Sequence, residues 1–395
     1  MTTIAFKKGV SYSITSVSVV ATPWIVQVVY GYCYQFNQPS NSDSWLKSDP
    51  EYEYNDIEPD SELFETISKE DKSKTVDEHL RKALNDIKEQ NEAYRRKKSL
   101  FYCRPSNIDL LTKQTRLGGF INKSRRSSSV FGSGAPSFNV QKSAEYLSSL
   151  MQKLTKEGGT LPEFHTEKKF RTGVRDQGEK RHCCAVFALV AAIETAVLIA
   201  NPNQKNDLHL SEQALLNCAT SYDNNRGCEG TSSLDTYLKC VMEKCGGQLP
   251  LAKDVPYKEK QENTNDTTMP DNYDSGVKVT GWYSWEKLTD DEMKALLLKH
   301  GAVVVVIYTG DKGSTLQNAL ETYGGGIFDF SSFQKRDTEK KHAITLVGFG
   351  IHQGTPYWEI KNSWGTGWGN EGYMKIKQGS KIITDVTRFK LMSCQ

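Results

Sequence analysis

The chain has 395 residues, with 50 Lys and Arg against 48 Asp and Glu and a formal net charge of +2. So even a balance gives no reason to expect a nucleic-acid or acidic partner. The length sets an expectation of one or two domains with tails, and the aromatic residues, concentrated in the second half, suffice for a large core there.

Residues 1–42 carry no charge apart from Lys7 and Lys8. The run from Val17 to Tyr34 is uncharged but interrupted by Ser18, Thr22, Pro23, Gln27 and Gly31. Behind two lysines it reads as a targeting or anchoring segment; the alternation Ser16-Val17-Ser18-Val19 reads equally as a strand. Residues 43–66 are acidic and poor in core-forming side chains, which predicts a solvated stretch. Thr75 and Glu78 have capping-box spacing, and Val76, Leu80, Leu84, Ile87 and Tyr94 continue at helical spacing. The run Arg95-Arg96-Lys97-Lys98 suits the end of that helix, where the dipole favours cations. Residues 124–139 read as linker. Ala144, Tyr146, Leu147, Leu150, Met151 and Leu154 predict one more short helix before Gly158-Gly159. Residues 43–160 are thus expected to form a charged, partly helical extension ahead of a domain at 161–395.

From about Leu161 glycine and tryptophan become frequent and long apolar segments appear. Cys183 to Ala200 is long enough to span a bilayer, but Glu194 lies inside it and Asn201-Pro202-Asn203 closes it, so a buried core helix is expected. The β-branched run Ala302 to Tyr308 predicts a buried strand, and Ala343 to Phe349 another. Tyr357 to Lys361 and Tyr373 to Lys377 flank a Gly-rich turn like the arms of a hairpin. Helices in front and strands behind argue for an α+β fold.

The nine cysteines are Cys33, Cys103, Cys183, Cys184, Cys218, Cys228, Cys240, Cys245 and Cys394. An odd count leaves at least one thiol unpaired, and a chain of this size does not need a disulfide scaffold. No C-x₂-C pair supports a zinc site at Cys218, Cys228, Cys240 and Cys245, so neither metal nor cofactor is expected.

The chemistry is carried by Gln177, Cys183-Cys184, His342 and Asn362, in that order. A thiol near its ordinary pKa is a poor nucleophile and must become a thiolate. A helix N-terminus favours the anion, and Cys183 and Cys184 lie where the apolar helix begins. His342 heads an apolar strand and would supply the imidazolium. Asn362 would hold its tautomer, and Gln177 would donate to the oxyanion together with the nucleophile's backbone N–H. Trp364 would shield the His–Asn bond from water. This constellation argues for acyl transfer and peptide hydrolysis.

At these residues the chain resembles the papain family of cysteine peptidases. Val174-Arg175-Asp176-Gln177-Gly178 is similar to the family's lead-in to the nucleophile, and Cys184 through Phe187 to Ile193-Glu194 to its central helix. Leu210 to Cys218 resembles its LSEQ-LLDC segment, and Gly227-Cys228-Glu229-Gly230 its GC-GG segment. Val255-Pro256-Tyr257, Tyr323 to Phe328, His342-Ala343 and Asn362-Ser363-Trp364-Gly365 follow in the family's order. The match covers about residues 161–390. The resemblance implies a helical subdomain carrying Cys184 and a β-rich, barrel-like subdomain carrying His342 and Asn362, with the cleft between them. It implies a monomeric endopeptidase acting on peptide or protein substrates, with Gly230 and Thr231 where substrate backbone approaches.

The chain also departs from the pattern. Glu179-Lys180-Arg181-His182 replaces the usual run before the nucleophile, Ala185 stands for its Trp, Thr231 for a glycine, and Lys341 for Asp or Asn. These changes motivate an alternative, a catalytically weak pseudo-protease that binds peptides or regulates. The gap from Gln177 is one residue longer to Cys184 than usual, yet counting from Cys184 keeps Phe187 and Glu194 in register, so Cys184 is the expected nucleophile and Cys183 a spectator thiol. Each family disulfide lacks a partner at its usual position, which predicts a domain that need not be oxidised and favours a reducing compartment such as the cytoplasm, with rearranged bridges such as Cys240 with Cys245 as the alternative. The family itself points to lysosome, vacuole or secretion. The extension occupies the place of the family's inhibitory propeptide without its helix pattern.

Overall fold

The computed structural model describes residues 78–104, 120–121, 140–156, 164–178, 183–219, 234–258, 276–286, 288–311, 314–333 and 340–392. The chain divides into two compact units, Met1–Ile57 and Glu58–Gln395, and every described residue belongs to the second. The uncharged run 17–34, the acidic stretch 43–66, Thr75, the linker 124–139, Cys228, Gly230 and Thr231 lie outside the described residues.

The elements run in chain order as α1 (Glu78–Arg95), β1 (Phe101–Cys103), β2 (Phe120–Ile121), α2 (Val140–Lys156), β3 (Phe164–His165), α3 (Cys184–Ala200), α4 (Glu212–Ala219), α5 (Asp235–Lys244), β4 (Gln248–Pro250), β5 (Gly276–Glu286), α6 (Asp290–His300), β6 (Val303–Tyr308), α7 (Thr315–Glu321), β7 (Tyr323–Phe328), β8 (Lys340–His352), β9 (Thr355–Lys361), β10 (Tyr373–Lys377) and β11 (Ile383–Met392). The strands form one 11-stranded sheet in the order β1-β7-β10-β9-β8-β6-β11-β5-β4, with β2 and β3 both paired to β8. All pairs are antiparallel except β7 with β10. Helices in front and strands behind give the expected α+β architecture.

Two cores explain the division into subdomains. The helical core gathers α3 with Leu215, Leu238 and Val241, and the β-rich core gathers the sheet with α6 and α7. β6 shows how they meet. Val303, Val305 and Ile307 face the β-rich core, while Val304 and Val306 face the helical one. A strand buried on both faces must read as a continuous apolar run rather than an alternating one. Helix α3 is apolar all round for the same reason: Cys184 to Val190 are buried, as are Ile193 and Leu198. Among the described residues no helix is long and apolar enough to cross a membrane.

The extension packs onto this unit. On α1 Ala83, Ile87 and Asn91 are buried. Asn91 grips β1 at both ends of its amide, donating to the Cys103 carbonyl at 2.9 Å and accepting from its N–H at 2.8 Å. β1 pairs with β7 opposite Gly325 and Gly326. Gly326 has φ 81°, and a Cβ there would collide with the Leu100 carbonyl, so only glycine allows this approach. Helix α2 is longer than the pattern of apolar residues predicts. It buries Leu147 and Leu150, and Tyr146 stacks on Tyr283 with centroids 4.9 Å apart.

One expectation fails. Cys218 and Cys240 form a disulfide, and Cys183 is disulfide-bonded as well. Cys218 takes its partner from α5 rather than from the family's more distant position, and Cys183 carries no thiol. The ground for placing the chain in a reducing compartment goes with it. Strong reductant is therefore expected to lower the melting temperature clearly, because a disulfide typically contributes about 2–4 kcal/mol. Coincident melts with and without reductant would contradict this.

Candidate active site

Cys184 opens α3, with Cys183 as its N-cap. In the first turn the amides of Val186 and Phe187 bond the Cys183 carbonyl at 3.1 and 3.5 Å. Cys184 is buried and keeps its thiol. Strand β8 crosses this helix end. The Ala343 N–H donates to Cys184 Sγ at 3.5 Å, and Thr345 Oγ1 donates to the Ala188 carbonyl at 3.1 Å. Both contacts hold β8 against the start of α3, and His342 is the residue directly before Ala343.

His342 is 1 % exposed and its Nε2 lies 2.9 Å from Asn362 Oδ1. The same Asn362 oxygen accepts the Ser363 N–H at 2.9 Å. A backbone N–H can only donate, so the atom facing it is the amide oxygen, and Nε2 must carry the proton it gives to that oxygen. Nδ1 is then the ring nitrogen available for proton exchange. The Trp364 ring lies 5.0 Å from the imidazole and is itself packed edge-on against Trp368 at 5.0 Å. Trp364 is only 4 % exposed and covers one side of the imidazole.

Gln177 reaches the site through the chain around Asn362. Its N–H donates to the Ser363 carbonyl at 2.9 Å, and Gly365 N–H donates to Arg175 at 3.1 Å. Ser363 Oγ donates to Gln177 Oε1 at 2.7 Å, with the amide NH₂ at the other end of the group. The Tyr257 hydroxyl donates to the Gln177 carbonyl at 2.8 Å. Gln177, Cys184, His342, Asn362 and Trp364 are thus brought together, whereas Gly230 and Thr231 lie outside the described residues. Lys341 is paired with Tyr308 across β6 and β8, and its ammonium sits 5.5 Å from that ring. Successive residues on a strand face opposite sides, so Lys341 and His342 point apart.

Beneath the site lies a buried ion cluster that the sequence reading missed. Arg175 bridges Glu194 and Glu212. Glu194 also takes the Thr172 hydroxyl and, at 2.8 Å, the Leu210 N–H. Lys361, the residue before Asn362, donates to the Thr172 carbonyl at 2.8 Å. Burial raises the Glu194 carboxyl above its ordinary range and pushes Lys361 down to about 8, with Glu194 opposing that shift. A charged lysine in an apolar helix's shadow is held there by these partners. The sequence signals were Glu194 inside the apolar run and Arg175 beside Gln177.

A second cluster clamps the start of the domain. Glu359 accepts Arg171 Nη2 at 2.8 Å and faces His165 Nδ1 at 2.7 Å. Burial raises its pKa, but the His165 bond and the Arg171 charge outweigh that and hold it at about 2. A carboxyl depressed from 4.5 to about 2 stabilises the fold fully above pH 4.5 and loses that contribution as pH falls toward 2. The shift corresponds to about 3 kcal/mol. Glu359→Gln is expected to lower stability at pH 7 and to flatten the pH dependence below 4.5, read by denaturant melts across that range. An unchanged acid limb would show that Glu359 is not its source.

The comparisons with known proteins agree with this geometry. A family model described as papain family cysteine protease matches residues 163–392. The chain is 31% identical over 229 residues to a low-temperature-induced cysteine proteinase of Solanum lycopersicum, covering 57% of this chain and 59% of that one. It is 33% identical over 217 residues to cathepsin O of Homo sapiens, covering 55% and 60%. The chain thus spans less than two thirds of the length of these relatives. Among solved structures, digestive procathepsin L2 proteinase from Tenebrio molitor larval midgut superposes with a TM-score of 0.61 at 20% identity, covering 84% of this chain and 99% of that one. That likeness shows the fold.

Proposed function

The chain belongs to the papain family of cysteine proteases, and we propose that it is an endopeptidase that cleaves peptide bonds through an acyl-thioester on Cys184. His342 takes the thiol proton, and the Cys184 sulfur attacks the scissile carbonyl. The oxyanion is met by the Gln177 amide NH₂ and the Cys184 backbone N–H. His342 then protonates the leaving amine, and later removes a proton from the water that releases the acid. Asn362 positions the ring, and Trp364 keeps its bond dry. The observation that supports this reading is the Ala343 N–H contact on Cys184 Sγ, since His342 is the residue next to Ala343 and Cys184 stands at the helix N-terminus.

The competing reading is a pseudo-protease that binds peptides without turning them over, motivated by Ala185, Thr231 and Lys341. Of these, Lys341 is directed at Tyr308 rather than toward the ring. Titration with a peptidyl epoxide or fluoromethyl ketone separates the two: one adduct per molecule is expected, at Cys184, and absence of labelling on the activated protein would favour the binding module.

The extension reads as a prosegment. β2 pairs with β8 at Lys340 and Lys341, directly before His342, and several structural neighbours are themselves named as proforms or precursors. The disulfides suit a compartment in which they persist, which agrees with a secreted or lysosome-like setting.

A further inference from the structure

Outside the catalytic site, three cysteines meet between α4 and α5. Cys218 and Cys240 are bonded and almost wholly buried, at 2 % and 0 % exposed. Cys245, which caps the C-terminus of α5, is a partly exposed thiol. Its sulfur lies 3.6 Å from Cys218 Sγ, at van der Waals contact. Dissolved thiols cannot reach the buried bridge directly, so Cys245 is the thiol placed to attack it. The position of Cys240 matters too. Its sulfur lies 2.7 Å from the Cys218 carbonyl, an acceptor ready for the S–H of Cys240 once the bridge is broken.

We propose that Cys245 is an internal thiol–disulfide exchange site that shifts the bridge of Cys218 from Cys240 to itself. The Cys245 thiol first gives up its proton. The thiolate attacks Cys218 Sγ, the Cys218–Cys245 bond forms, and the Cys218–Cys240 bond breaks. The electron pair leaves on Cys240, which takes up a proton. One disulfide and one thiol remain at every stage, so no oxidant or reductant is consumed. Burial raises the Cys245 thiol's pKa while the adjacent Lys244 opposes this, so the exchange is expected to speed up on the alkaline side. The outcome is a helix α5 tied to α4 either through its middle, at Cys240, or through its cap, at Cys245.

The test uses the full-length oxidised protein. It is incubated at mildly alkaline pH, quenched in acid, unfolded and alkylated with a maleimide at that acid pH, and then mapped by non-reducing peptide mass spectrometry. In the wild type, label is expected on both Cys245 and Cys240, with the matching Cys218–Cys240 and Cys218–Cys245 bridges. Label on Cys240 is expected to be at least about tenfold more abundant than in Cys245→Ser, where no internal thiol can release it. Equal and negligible labelling of Cys240 in both proteins would overturn the proposal. As a second measurement, Cys240→Ser refolded in a glutathione redox buffer should form the Cys218–Cys245 bridge. Full alkylation of both cysteines in a folded Cys240→Ser protein, under conditions that oxidise the wild type, would also overturn it. Neither readout depends on peptidase activity, so the exchange and the catalytic assignment fail separately.

Discussion

Cys184→Ser is expected to lower kcat/KM against a fluorogenic peptide by about 10³-fold or more, since losing a nucleophile removes the whole covalent pathway. Labelling by an epoxide should vanish with it. The contrast with its neighbour makes the experiment decisive. Cys183 is disulfide-bonded, so it holds no thiolate to offer, and its side chain leaves the helix axis about 100° away from that of Cys184. Cys183→Ser should therefore act on stability, by about 2–5 kcal/mol for a lost native bridge, while the folded fraction keeps its label on Cys184. A helix register is hard to change, whereas one extra residue in the preceding loop costs little. That is why Cys184 keeps Phe187 and Glu194 in place despite the longer gap from Gln177. An epoxide adduct mapped to Cys183, or stoichiometric labelling of folded Cys184→Ser, would sink the assignment.

Much of the site was legible because it depends on local order along the chain. Helix α3, the strands around Val305 and Leu346, and the hairpin of β9 with β10 all follow from the period and length of apolar runs. The residues that meet at the site were legible as types, since a thiol, an imidazole and two amides have few other joint uses. Their spacing in three dimensions was not, because β8 meets α3 through contacts such as Ala343 on Cys184, 159 residues apart in sequence, which no local pattern records. Strand β5 was missed: it mixes Gly281 with Trp282 and Trp285, and its order depends on partners β11 and β4. Helix α6 was missed despite a readable signal, the Thr289 and Glu292 capping box that its structure displays.

The disulfides were misread for a different reason. Matching cysteines to family positions treats the pairing as a property of sequence, but pairing needs only two Cβ atoms at the right separation. Packing α4 against α5 brings Cys218 to Cys240, a closeness that no linear pattern records. The buried cluster of Arg175, Glu194, Glu212 and Lys361 was hidden likewise. Each residue is ordinary on its own, and only the fold turns them into one network under Asn362 and Gln177.

His342→Ala is expected to cost about 10²–10⁴-fold in kcat/KM with the fold retained, the usual range for loss of a positioned acid–base group. The wild-type profile of kcat/KM against pH should be bell-shaped. Its acid limb reports protonation of the Cys184 thiolate, and its alkaline limb reports loss of the proton from the imidazolium. Asn362 supplies a finer check. Because Asn362 Oδ1 is committed to both the Ser363 N–H and Nε2, the ring cannot turn over without leaving a buried donor unmet. Asn362→Ala should therefore lower kcat more than it raises KM, and its alkaline limb should move to lower pH, because an imidazolium that loses an acceptor gives up its proton more readily. Asn362→Gln, which keeps an amide but displaces it, should recover part of the rate. If Asn362→Ala left the alkaline limb unmoved, the amide would not be holding the charged ring. If His342→Ala kept a profile with both limbs, another residue would be the base, and the contact of β8 on Cys184 would need a different explanation.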